Sequence, residues 1–166
     1  MNETAELKLR MVGAGLMTPK IAELYAGKYP EVNTPWWLCE EGSTGGMQFV
    51  NAYGQINTRG GDSEAMYGVR PVLAVLLPGV EAGDTVELPG RRTGEQPETF
   101  TCIWTMDADH AMIFSDRIIA DSTYRRDGGK AYRGSDAEKV VIAFTKNIEG
   151  RPAVIHRHNE TAEQDK

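Results

Sequence analysis

The chain has 166 residues, with 18 basic and 24 acidic side chains and a formal charge of -6, a length that buries a core without disulfides or metal and suits one domain. No stripe of Lys and Arg is present to track a phosphate backbone, which argues against nonspecific nucleic-acid binding. The longest apolar run, Val69 to Leu77, is broken by Arg70 and Pro71 and is too short to span a membrane.

The opening "MNETAELKLRMVGAG" alternates polar and apolar residues and lacks the basic start and apolar core of a secretion signal. Two cysteines, Cys39 and Cys102, are too few for a disulfide framework, so a soluble cytoplasmic protein with free thiols is expected. Glu6 to Val12 has the period of a half-buried strand. Thr18 as N-cap, Pro19 at the first helical position and Gly27 beyond the end predict a short helix, with Ile21, Leu24 and Tyr25 toward the core.

After Trp36 and Trp37, "QFVNAYGQINT" predicts a hairpin turning at Ala52 to Gly54. "GVRPVLAVLL" reads as a strand with Pro71 at its start or at a bulge. Residues 78–98 are rich in turn formers and form the candidate flexible connection, with one short strand, "DTVEL". A second hairpin follows, in which Phe100, Cys102 and Trp104 alternate, Asp107 to Asp109 turn, and Ala111 to Phe114 return. Ser135 and Glu138 form a capping box for a second helix ending near Gly150. "AVIHR" is the last strand, and residues 158–166 form a polar tail expected to be disordered. The fold class is α+β, mostly antiparallel strands with two helices, in a single domain over 1–157.

The segments "PWWLCEEG", "VNAYGQIN" and "YGVRPVLAV" resemble a family of uncharacterised bacterial and phage proteins patterned W-W-L-R-S-P-G, V-N-x-x-G-x-I-N and G-V-R-P-A-L. The second half, with "EAGDTVELPG" and "IFSDRIIADSTYRRDGGKAYRGSD", is similar to the segment that follows in its small members. The resemblance implies a C-type-lectin-like fold, similar to formylglycine-generating enzymes and to variable receptor-binding proteins of phages. In that architecture a rigid sheet holds a long irregular Gly-rich surface for binding. Trp36 and Trp37 match the family's tryptophan pair, and Gly68, Val69, Arg70 and Pro71 match its closing motif. Where the family has R-S-P, this chain has Cys39, Glu40 and Glu41, so any role of that arginine is absent.

The residues support a display surface independently of that resemblance. A loop of glycines and small polar residues cannot order itself by burial and must be tied at both ends. Residues 42–67 are therefore the candidate binding loop, with Tyr53, Asn57, Arg59, Asp62, Glu64 and Tyr67 exposed together as partner-binding residues. Trp36, Trp37 and Arg70 are the candidate scaffold. Adjacent strand residues point to opposite faces, which places one tryptophan in the core and the other over the loop.

Arg70 invites a role as anion clamp, but its apolar flanks favour a buried ion-pair or carbonyl-binding residue. Cys39 is flanked by Glu40 and Glu41, which oppose a nucleophilic thiolate. His156 and His158 share a face if "VIHRH" is a strand, but without the spacing of a metal set, and neither metal nor cofactor is expected. "STGG" and "TRGGD" lack the Lys-Ser/Thr and helix of a phosphate loop, and "RRDGGK" reads as a solvated basic turn.

The leading functional expectation is a non-enzymatic, phage-derived binding module that presents residues 42–67 to a bacterial or host partner, protein or small molecule. The alternatives are a phage anti-defence inhibitor, which blocks a host defence protein or sequesters a nucleotide signal, and a cysteine-dependent oxidase-like enzyme.

Overall fold

The computed structural model describes residues 7–62, 64–124 and 132–158. The N-terminal alternation becomes a strand displaced toward the glycines. Strand β1 spans Arg10–Gly15, while Leu9 before it is fully buried and Lys8 only bridges to Pro152. Thr18 caps helix α1 (Pro19–Leu24), its hydroxyl oxygen accepting from the Ile21 N–H at 3.1 Å. The expected core face needs correction: Ala22 is buried and Ile21 and Tyr25 half-buried, but Leu24 is 64% exposed. In a six-residue helix only one narrow stripe meets the sheet, and Leu24 falls outside it.

Strands β2 (Trp36–Glu41), β3 (Met47–Val50), β4 (Ile56–Gly61) and β5 (Tyr67–Val69) follow. The expected single strand over Val69 to Leu77 is divided, because Arg70 and Pro71 are a crossing between two sheets. β5 lies in one sheet, and β6 (Val72–Leu76) lies in the other. Proline lacks the N–H that a continuous ladder needs, so the ladder breaks there.

The six-stranded sheet has the order β1-β6-β9-β8-β7-β11, with β7 (Thr85–Leu88), β8 (Glu98–Thr105), β9 (His110–Ser115) and β11 (Val154–His156), and every pairing is antiparallel. Residues 78–98 thus contain a strand paired on both sides, β7, between β8 and β11. The five-stranded sheet has the order β10-β5-β2-β3-β4, with β10 at Ala120–Ser122, and only β2 and β5 run parallel.

Helix α2 (Asp136–Ile148) begins as predicted at Ser135, whose hydroxyl oxygen accepts from the Glu138 N–H at 3.1 Å. The reciprocal half of the box shifts by one residue: the Glu138 carboxylate accepts from Gly134 N–H at 2.6 Å, since Ser135 N–H already donates to Tyr132. One face of the six-stranded sheet packs Leu73, Val75, Val86, Leu88, Phe100 and Ile113 against Ile148 and Phe144 of α2. Farther along the same helix, Ala137 and Val141 pack against the five-stranded sheet through Trp37, Phe49 and Val69. A third cluster joins the two sheets, with Trp36, Leu38 and Val50 from one and Ile103 and Phe114 from the other. Among the described residues no helix is long and apolar enough to cross a membrane.

Candidate functional site

The β3–β4 hairpin turns as its composition predicts, and Asn51 builds the turn. Its side-chain oxygen accepts from the N–H groups of Tyr53 at 2.9 Å and Gln55 at 3.0 Å, while Gly54 takes φ +83°. Tyr53 stands at the tip, 86% exposed. At the other end of the hairpin the chain folds back on itself by direct backbone approach. A Cβ at Gly42 would lie 2.2 Å from the Arg59 carbonyl oxygen, and one at Gly46 would lie 2.0 Å from that of Gly61. Gly60, at φ +107°, would set a Cβ 2.3 Å from the Gly46 carbonyl oxygen. Only glycine permits that contact and that φ together.

Three of the four N–H groups of "STGG" are consequently spent: Ser43, Thr44 and Gly45 donate to the carbonyls of Thr58, Arg59 and Gly42. They do not form a free cradle for phosphate.

Five of the six expected binding residues fall into three environments, and the sixth, Asn57, is half-buried rather than exposed because it sits within β4 with its side chain turned onto the backbone. Arg59 is exposed at the glycine-locked end, where its carbonyl accepts from Thr44 N–H, and Asp62 and Glu64 are exposed just beyond it along the chain. Tyr53 is exposed too, but it stands at the opposite end of the hairpin: three residues of β4, at ~3.3 Å each, precede Arg59, and the whole strand precedes Asp62. Tyr67 corrects the expectation of common exposure, because it is half-buried with its ring 4.7 Å from Trp37 and 4.6 Å from Phe49.

Asn57 and Asp62 also hold their own backbone. The Asn57 oxygen accepts from Arg59 N–H at 3.0 Å and Gly60 N–H at 3.2 Å, and the Asp62 carboxylate accepts from Glu64 N–H at 2.9 Å. An Asn or Asp two or three residues before a glycine or turn was the available signal for that role.

The two tryptophans do point to opposite faces of β2, yet neither covers a loop, because each enters a different core. Trp37 donates its indole N–H to the Ser122 carbonyl at 2.8 Å, and Trp36 packs beside Tyr29 and Phe114. Arg70 is fully buried and binds carbonyls. Its Nε donates to Ser115 at 2.8 Å and its Nη2 to Pro30, while the guanidinium carbon lies 4.3 to 5.2 Å from the ring centres of Phe114, Tyr29 and Trp36. Burial pulls its pKa down to about 10, opposed by Tyr29 and Asp116, and it stays cationic at neutral pH.

Both thiols are held protonated, since burial raises Cys39 and Cys102 to about 11, and Glu40 adds to the effect at Cys39. His156 pairs with Glu87 at 2.6 Å, and the His158 N–H joins Arg157 on the buried Asp84 carboxylate. No group of three metal-ligating side chains occurs among the described residues. The basic turn over 125–130 and the tail over 159–166 lie outside the described residues. Compared with known proteins, the chain matches no family model, no curated protein and no solved structure.

Proposed function

We propose that the chain is a non-enzymatic binding module, C-type-lectin-like as its tryptophan pair and G-V-R-P segment imply. Its binding face is the glycine-locked end of the β3–β4 hairpin, offered to a bacterial protein partner by Ser43, Thr44, Arg59 and Asp62, with Tyr53 as a separate outlying contact. One observation carries this reading: the backbone there is fixed chiefly by glycine-on-carbonyl approaches, helped by the Thr44 hydroxyl on the Arg59 carbonyl and the Asp62 carboxylate on the Glu64 N–H, so its shape does not depend on the Ser43 and Arg59 side chains. A surface ordered before binding loses less conformational freedom on association. The elevated thiol pKa values support the non-enzymatic reading, because a nucleophilic cysteine works as the thiolate.

The test is capture of the partner from bacterial lysate, followed by affinity measurement with variants. Arg59→Ala is expected to weaken binding by about 2 kcal/mol or more, as arginine hot spots do, and to leave the melting temperature unchanged. Binding that survives both Arg59→Ala and the bulky Ser43→Arg would move the interface elsewhere.

A further inference from the structure

Between α1 and the β3–β4 hairpin runs a groove of about 630 Å³, within the range of small-molecule sites. Pro19, Ala22 and Ala26 form one wall, and Gln48, Val50 and Ile56 form the other. An inner cavity of about 30 Å³ adjoins it, sharing Ala26, Tyr29, Val50 and Gly54 and reaching Trp36 and Arg70. The volume suits one or two atoms of a polar group, since a water occupies about 30 Å³ of liquid.

Arg70 lines that inner cavity, and its Nη1 is buried without a hydrogen-bond partner. Two carbonyls and three aromatic rings surround the rest of the guanidinium, and among the described residues no carboxylate forms an ion pair with it, Asp116 acting on it only from beyond contact distance. An unpaired buried cation with an unused donor is costly, and an anionic oxygen relieves both costs at once. The outer groove supplies a second unmet group, the buried Oε1 of Gln48, whose amide nitrogen already donates to Glu41.

From this geometry we infer a binding site for a small monocarboxylate: its carboxylate oxygen accepts from Arg70 Nη1 in the inner cavity, and its apolar body lies along Val50, Ile56 and Ala26. The charges around the two openings set the limit on charge. Glu23, Glu31 and Glu40 outnumber Lys20 there, so a single buried negative charge is accepted while a polyanion is repelled. The site uses the face of the hairpin turned toward α1 and is independent of the protein-binding face proposed above.

Benzoate is the probe, titrated into the ¹⁵N-labelled full chain and followed by NMR and calorimetry. Saturable shifts of the Arg70 Nε–H and Gly54 N–H resonances are expected. Benzamide, which has the same shape without the charge, is expected to bind roughly tenfold more weakly or worse, a factor equal to about 1.4 kcal/mol. Phenyl phosphate, a dianion near neutral pH, is expected to bind more weakly than benzoate.

Arg70→Met is expected to abolish benzoate binding. Because that variant also removes packing and can fail to fold, Ala26→Trp tests the site from the exposed groove wall and is expected to block binding with an unchanged melting temperature. Absence of saturable shifts overturns the site. Equal binding of benzamide overturns the role of the Arg70 charge, and undiminished binding in folded Ala26→Trp overturns the location.

Discussion

In the six-stranded sheet every pairing is antiparallel, and side chains such as Val75, Val86, Leu88, Phe100 and Ile113 disappear into one apolar layer. The five-stranded sheet buries Trp37 and Phe49 on one face, but its outer hairpin is held by backbone: glycines against carbonyls, and Asn51, Asn57 and Asp62 against neighbouring N–H groups. Order in the first region is therefore carried by side-chain volume, and order in the hairpin by glycines that let backbone meet backbone and by short polar side chains that bind backbone N–H groups. A region built in the second way can change outward residues other than those polar ones without losing its shape, which is what a recognition surface requires.

The sharpest break in that contrast comes from deleting core volume. Phe100→Ala and Trp37→Ala are each expected to cost about 3–5 kcal/mol through cavities in the two cores, read by chemical denaturation. An intermediate effect is expected at the locked turn. Gly60→Ala meets both an unfavourable φ and a carbonyl oxygen that cannot move aside, whereas Gly27→Ala, at φ +85° with nothing within 4 Å, meets the φ alone. The Gly27 variant is expected to lose about 1 kcal/mol and the Gly60 variant distinctly more, and equal losses would show that backbone approach does not fix the hairpin end. Least of all, Tyr53→Ala at the exposed tip is expected to stay within about 0.5 kcal/mol of the parent in the same measurement.

The parts legible in the sequence are those set by neighbouring residues. Thr18 and Ser135 announce their helices, Asn51 to Gly54 announces a turn, and "DTVEL" announces β7. What escaped depends on distant partners or on a single inserted residue. A bulge between Cys102 and Trp104 sends Ile103 into the cluster between the sheets and leaves Trp104 46% exposed, although strict alternation groups Trp104 with Phe100. Tyr67 turns inward because Trp37 and Phe49, far apart from it in sequence, offer rings to pack against. The carbonyl-binding character of Arg70 could be read from its flanks, but its unused donor and the cavity beside it arise only when the segment after α1, with Ala26 and Tyr29, meets Trp36 of β2, Val50 of β3 and Arg70 itself.

The crossing at Arg70 and Pro71 has a mechanical consequence. β5 ends at Val69 and β6 begins at Val72, so this link between the sheets has two residues and spans only ~10 Å from strand to strand when fully extended. Arg70 further rivets that tether by gripping the carbonyls of Ser115, at the end of β9, and Pro30, ahead of β2. A hinge needs slack, and here the connecting chain has none. Pulling the sheets apart would first tear the guanidinium from its carbonyls and rings, so amide protons near the crossing in both sheets should exchange with solvent through one shared opening event.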